Sequence, residues 1–241
     1  MTPIADAPQP QLAANKLDAR AATAGKLVTE WYPRINVLLF DPGHPLPGPA
    51  PRVRVDAKPL YEGVPAYASD GVIHLWAGYI ENQDQADFEG MVIHELTHIN
   101  QAGKNVGDNG WVVEGVADYV RHKYFARDID ATLHMRADGR LQGYAPRDIY
   151  FYGLQQRKAD LSSQGYQASY TVASTFLYWL ELRKDRHIVH EISVALEQGT
   201  FTPALFEQAC GKPLDALWDE FVVESKQDGQ GKARVAGVTR Q

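Results

Sequence analysis

The sequence predicts an α+β fold, a small antiparallel sheet early in the chain followed by a mostly helical portion. Two observations carry this. Alternation of polar and apolar residues is confined to residues 52–78, and from Asp84 onward apolar residues recur with the 3.6-residue period of a helix. No internal repeat appears, and strands that cluster early do not fit an alternating parallel sheet.

The elements follow in order. Residues 1–15 read as a flexible lead. Residues 16–39 carry helix formers with apolar positions at Leu17, Ala21, Leu27, Trp31 and Ile35, and Pro33 is expected to limit or kink that helix near its end. Five prolines, Pro42, Pro45, Pro47, Pro49 and Pro51, make residues 40–51 an irregular connector. Residues 52–55 and 64–75 alternate as strands, the latter on either side of a Ser69-Asp70-Gly71 turn signal, giving two or three antiparallel strands that end near Gly78. In the next helix Phe88, Met91, Val92, Leu96 and Ile99 form one stripe, with Asp84 as its cap and Gly103 as its stop. A polar loop, 104–108, leads to Asn109 as the cap of a further helix holding Trp111, Val112, Val116, Ala117 and Val120. Residues 127–165 show no clear period and are expected to border a cleft. Helices are expected over 166–182, 185–197, 203–209 and 213–223, with Thr202-Pro203 as a cap and first-position pair. Residues 226–241 read as a frayed tail, which leaves 16–225 as one domain.

Composition narrows the function. The chain has 241 residues, 44% apolar and 22% charged, values of an ordinary folded protein. A formal charge of −6 with dispersed Lys and Arg supplies no basic stripe for a nucleic-acid partner. No apolar run reaches the length of a membrane span, and residues 1–15 have neither the charged nor the apolar region of a signal peptide. The single cysteine, Cys210, excludes a disulfide scaffold and a cysteine-based zinc knuckle, so any metal must sit on histidine and carboxylate.

The informative segment is His94-Glu95-Leu96-Thr97-His98. Residues four apart lie on one face of a helix, so both imidazoles can share one ion, with Glu95 beside them. That pattern predicts Zn2+ on a helix pair, with a third protein ligand and an open position. Glu114 is the geometric choice. His98 lies five residues before Gly103 and Glu114 five after Asn109, so in an antiparallel hairpin both stand about 7–8 Å from the connecting loop. Asp118, four residues after Glu114, is placed to accept a ligand histidine's ring N–H, and the reverse assignment, Asp118 as ligand, stays open.

His94-Glu95-x-x-His98 followed by Glu114-Gly115-Val116-Ala117-Asp118-Tyr119-Val120-Arg121 resembles the basic secretory protein family, plant secretory proteins with bacterial relatives regarded as zinc-dependent peptidases. The Glu114/Asp118 pair also resembles that of the gluzincins. Trp31-Tyr32-Pro33-Arg34-Ile35-Asn36, Gly63-Val64-Pro65-Ala66-Tyr67 and Ser169-Tyr170-Thr171-Val172-Ala173 to Phe176-Leu177 are similar to other family segments, so the likeness spans roughly residues 31–221. Two departures stand out: the chain is acidic, and Ser169 occupies a position usually held by Gly.

The resemblance implies a zinc metallopeptidase acting on a peptide or protein, secreted or periplasmic. His94, His98 and Glu114 would hold the metal, Glu95 would act as general base, and Tyr170 would donate to the oxyanion. The strand around Val72–Trp76, just before the metal helix, is expected to be an edge that pairs with substrate backbone. A catalytically silent relative that binds protein or carbohydrate is the alternative from another class, and a zinc hydrolase acting on non-peptide amides or esters is a third. His187 and His190 match no ligand pattern and read as exposed; His44, His74 and His134 lack partners at ligand spacing; His122 reads as a surface pair with Asp118.

Overall fold

The computed structural model describes residues 10–101, 107–125, 134–135, 141–142, 165–167 and 170–224. Expectations placed on residues 1–9, on Gly103 and the loop after it up to 106, on most of 127–165, on Ser169 and on 226–241 lie outside the described residues. The fold is α+β, and it divides into two compact units, one within Met1–Gly103 and the other within Lys104–Gln241.

The first unit opens with α1, Pro10–Leu39, so residues 10–15 belong to a helix rather than to a lead. Pro33 does not end it. Trp31, Tyr32, Ile35 and Leu39 are all buried around the proline, and packing of that face compensates for the hydrogen bond that the ring removes. The proline-rich connector is irregular, as its composition requires, and it is pinned to α1 by polar contacts. Asn36 Nδ2 donates to the His44 carbonyl at 2.8 Å, the Tyr32 hydroxyl donates to the Gly48 carbonyl at 3.1 Å, and the His44 ring stacks on Phe40 at 4.3 Å. Burial raises the Tyr32 phenol above its ordinary pKa.

The sheet is mixed rather than antiparallel. Its strands are β1, Arg52–Asp56, β2, Ala66–Ser69, and β3, Val72–Trp76, in the order β1-β3-β2. β2 and β3 form the expected hairpin, with Asp70 at φ 50° and Gly71 at φ 70° supplying the two left-handed residues of its turn. β1 pairs with β3 in parallel, Val53 opposite Ile73 and Val55 opposite Leu75. The strand expected at an edge is therefore the central one. Burial explains this: Ile73 and Leu75 are wholly buried, whereas β1 keeps Arg52 and Arg54 in solvent and is suited to an edge.

A short helix, α2, Ala77–Ile80, leads to α3, Gln85–Asn100. Asp84 caps α3 as expected, its carboxylate accepting from the Asp87 N–H at 2.8 Å. α3 packs on α1, β2 and β3, and ten of its sixteen residues are buried, so its burial extends well beyond one apolar stripe. Buried Arg20 of α1 ties the start of α3 in place by bonding Gln85 and the Gln83 carbonyl, and its guanidinium lies 4.6 Å from the Phe88 ring centroid.

The second unit contains α4, Gly110–Val120, which runs on into a π-helical turn, Arg121–Phe125. Asn109 closes a 3₁₀ turn, Gly107–Asn109, instead of adopting the extended backbone of a side-chain cap. Two short strands, β4, His134–Met135, and β5, Leu141–Gln142, pair antiparallel within the segment that showed no sequence period. Then come α5, Tyr170–Arg183, α6, Ile188–Gln198, α7, Ala204–Cys210, and α8, residues 214–224. α5 starts four residues later than its pattern suggests, because Gly165–Gln167 forms a 3₁₀ turn that lays the Tyr166 ring 4.5 Å from Trp111. The Thr202-Pro203 signal is offset by one residue, with Pro203 at the cap position. Among the described residues no helix is long and apolar enough to cross a membrane.

Close contacts join α4 and the turn that follows it to α5. A Cβ on Gly115 would stand 2.9 Å from the Ala173 Cβ and 3.2 Å from Leu177 Cδ1, so the close approach of the helices needs glycine there. Further along, Lys123 Nζ lies 2.6 Å from both Glu181 carboxylate oxygens and from the Tyr119 hydroxyl, ringed by Tyr119, Tyr124 and Tyr178. Burial, then the Glu181 charge, pushes the Tyr119 phenol well above its ordinary pKa. Gly115→Val is expected to cost about 1–3 kcal/mol by overpacking, seen as a lower thermal midpoint. Lys123→Met should cost roughly 3 kcal/mol in denaturant unfolding by stranding Glu181, with much of it recovered in the Lys123→Met/Glu181→Leu double variant.

Candidate metal centre

His94 and His98 sit one helical turn apart on α3. Their rings meet edge to face at a centroid distance of 4.7 Å, and the two Nε2 atoms are 3.1 Å apart. Two nitrogens at that separation are a natural fit for a shared ion: bonds of about 2.0–2.1 Å to each would subtend an angle of about 100°, close to tetrahedral. The His98 ring is set from its other side. Its Nδ1 is 2.9 Å from Gln101 Oε1, and an amide oxygen accepts only, so Nδ1 carries the proton and Nε2 turns its lone pair toward His94.

His94 and Glu95 are each only 7% exposed, so these groups are held by the packing of α3 and not by solvent. The buried neighbour Thr97 returns its hydroxyl to the Ile93 carbonyl at 2.8 Å, which keeps this polar side chain satisfied inside the helix.

Glu114 and Asp118 lie four residues apart on α4. Glu114 is half-buried, and Asp118 is buried rather than on the surface, 3.8 Å from Arg121 Nη1 and 3.7 Å from His122 Nε2. His122 is buried too, so its pairing with Asp118 is internal. His94, His98 and Glu114 together could hold a metal ion, each offering one ligand atom. Tyr170 opens α5 and is 53% exposed, unlike Phe176, Tyr178 and Trp179 on the same helix, which are core residues.

The remaining reactive groups are accounted for differently. Burial, reinforced by Asp185 and Glu191, pushes the Cys210 thiol up to about 11, so it is a poor nucleophile at neutral pH. His187 is exposed and accepts from Arg186 Nε at 2.9 Å, while His190 is half-buried in the first turn of α6. His74 pairs with Asp56 across the sheet at 2.7 Å and stacks on Tyr67 at 4.4 Å, a grouping invisible to sequence spacing because three strands supply it. Gln101 was also not predicted; its one signal was its place three residues after His98, within reach on a helix.

The family described as peptidases of plants and bacteria, BSP, matches residues 53–221. The chain belongs to that family. The match starts at β1 and includes α3, α4 and α5, whereas residues 31–36 of α1, also similar by motif, fall outside it. Membership in this peptidase family implies a peptide or protein substrate. No curated protein and no solved structure matches the chain.

Wild-type protein dialysed against a divalent metal is expected to retain about one ion per chain. His94→Ala and His98→Ala should each reduce that stoichiometry sharply, measured by elemental analysis after gel filtration.

Proposed function

We propose that the protein is a zinc-dependent metallopeptidase, with His94, His98 and Glu114 as metal ligands in a gluzincin-like arrangement. The observation that carries the reading is the pair of facing Nε2 atoms, 3.1 Å apart on one helix of a peptidase-family chain. The donor set supports zinc as the ion, since two imidazoles and a carboxylate are a common catalytic set for it. Bound there, zinc supplies Lewis acidity to the scissile carbonyl and lowers the pKa of a neighbouring water toward about 7.

The chain's own residues do the rest. Glu95 accepts the proton of the attacking water on its carboxylate and returns it to the amine nitrogen as the C–N bond breaks. The Tyr170 hydroxyl donates to the oxygen that gains negative charge, and its exposure at the start of α5 suits a group that meets substrate. Asp118 orients a ligand from behind by accepting its ring N–H. Secretion or the periplasm is the compartment that the family resemblance favours.

Substrate backbone has a place to pair within the first unit. β2 is an open edge of its sheet among the described residues, and it packs on α3. Trp76 N–H donates to the Pro65 carbonyl, so alternate β2 residues, Ala66 and Ala68, turn their backbone N–H and C=O to the open side. An extended peptide added there gains main-chain hydrogen bonds with little side-chain demand.

Glu95→Gln is expected to keep the metal and lose at least about a hundredfold in kcat on a casein or gelatin substrate. Undiminished turnover would overturn the general-base assignment. Tyr170→Phe should lower kcat by roughly a hundredfold with little change in KM. A chelator should abolish cleavage and added zinc restore it, while alkylation of Cys210 at pH 7 should proceed slowly and leave activity unchanged.

A further inference from the structure

We infer that Gln101 is a positioning residue of the metal centre, setting the affinity of the site through the tautomer and orientation of His98. The inference rests on the reading of His94 and His98 as ligands. Gln101 follows directly on α3 and keeps helical geometry, φ −71° and ψ −6°, with its N–H donating to the Thr97 carbonyl at 2.9 Å. A helical residue at i+3 lies on the face of His98, and the side chain reaches back along the ridge. Its oxygen stands 2.9 Å from His98 Nδ1.

Three physical points make this contact more than packing. Gln101 is 4% exposed, and a buried amide is costly unless it is hydrogen-bonded, so its side chain is constrained to a partnered geometry. An amide oxygen has no proton to give, so it stabilises only the His98 form with hydrogen on Nδ1. That form is the one whose Nε2 can donate its lone pair, and Nε2 is the atom that faces His94 at 3.1 Å. A glutamine acceptor also differs from a carboxylate: it orients the ring without adding negative charge behind it, which leaves His98 a weaker donor and the ion a stronger Lewis acid.

The test measures zinc affinity of the full chain by competition with a chromogenic chelator, independently of peptidase activity. Gln101→Leu removes the acceptor and is expected to weaken zinc binding about 10–100-fold. Gln101→Glu keeps an acceptor at the same place, and its charge makes His98 more basic, so its affinity should equal or exceed wild type. Thermal midpoints of the metal-free proteins report folding separately. Wild-type affinity in Gln101→Leu overturns the inference while leaving the metallopeptidase reading intact, as does a Gln101→Glu variant at least tenfold weaker than wild type. If Gln101→Leu does not fold, Gln101→Glu decides alone by the same criterion. A wild-type chain that binds no zinc overturns both the inference and the reading beneath it.

Discussion

Two imidazole nitrogens held 3.1 Å apart inside a mostly buried helix are the constraint on which the first unit is built. A proton or a cation between the two nitrogens suits that distance, and the helix has to present both rings to each other. α3 does this through its surroundings. Apolar residues such as Phe88, Val92, Ile93 and Leu96 lock the helix against α1 and the sheet, Asp84 fixes where it begins, and Gln101 sets the far side of His98. The chemistry occupies the polar remainder of a helix otherwise committed to the core.

The second unit solves a similar problem with different means. Gly115, next to Glu114, lets α4 lie directly on α5, while the Lys123–Glu181 ion pair, closed in by tyrosine rings, secures the turn where α4 becomes π-helical. His122, four residues after Asp118 and within that turn, lies 3.7 Å from its carboxylate, and both side chains are buried. Aromatic packing around Phe176, which meets Trp111, Trp179, Trp218 and Phe221, gives α5 a fixed seat from which Tyr170 emerges at the exposed end.

Much of this was legible in the residues because it is local. The helical period, the Asp84 cap, the Asp70-Gly71 hairpin turn and the four-residue spacing of His94 and His98 each depend on neighbours within one turn or one hairpin. What was not legible depends on distant segments. Burial of Trp31, Tyr32, Ile35 and Leu39 carries α1 past Pro33 to Leu39, the end that the sequence pattern gives it. The strand at Val72–Trp76 reads as an edge, and only the arrival of β1 on its other side makes it central.

Sequence alone therefore determined the α+β class, the helix carrying the paired histidines and the identity of the groups able to ligate a metal. Periodicity and short-range capping encode those directly. Tertiary structure decided the parallel pairing of β1 with β3, the burial of Asp118 with His122, the cross-strand meeting of His74 and Asp56, and which strands keep an open edge. These depend on which distant segments compete for the same buried surface, and loop-spanning choices of that kind leave no periodic trace in the chain.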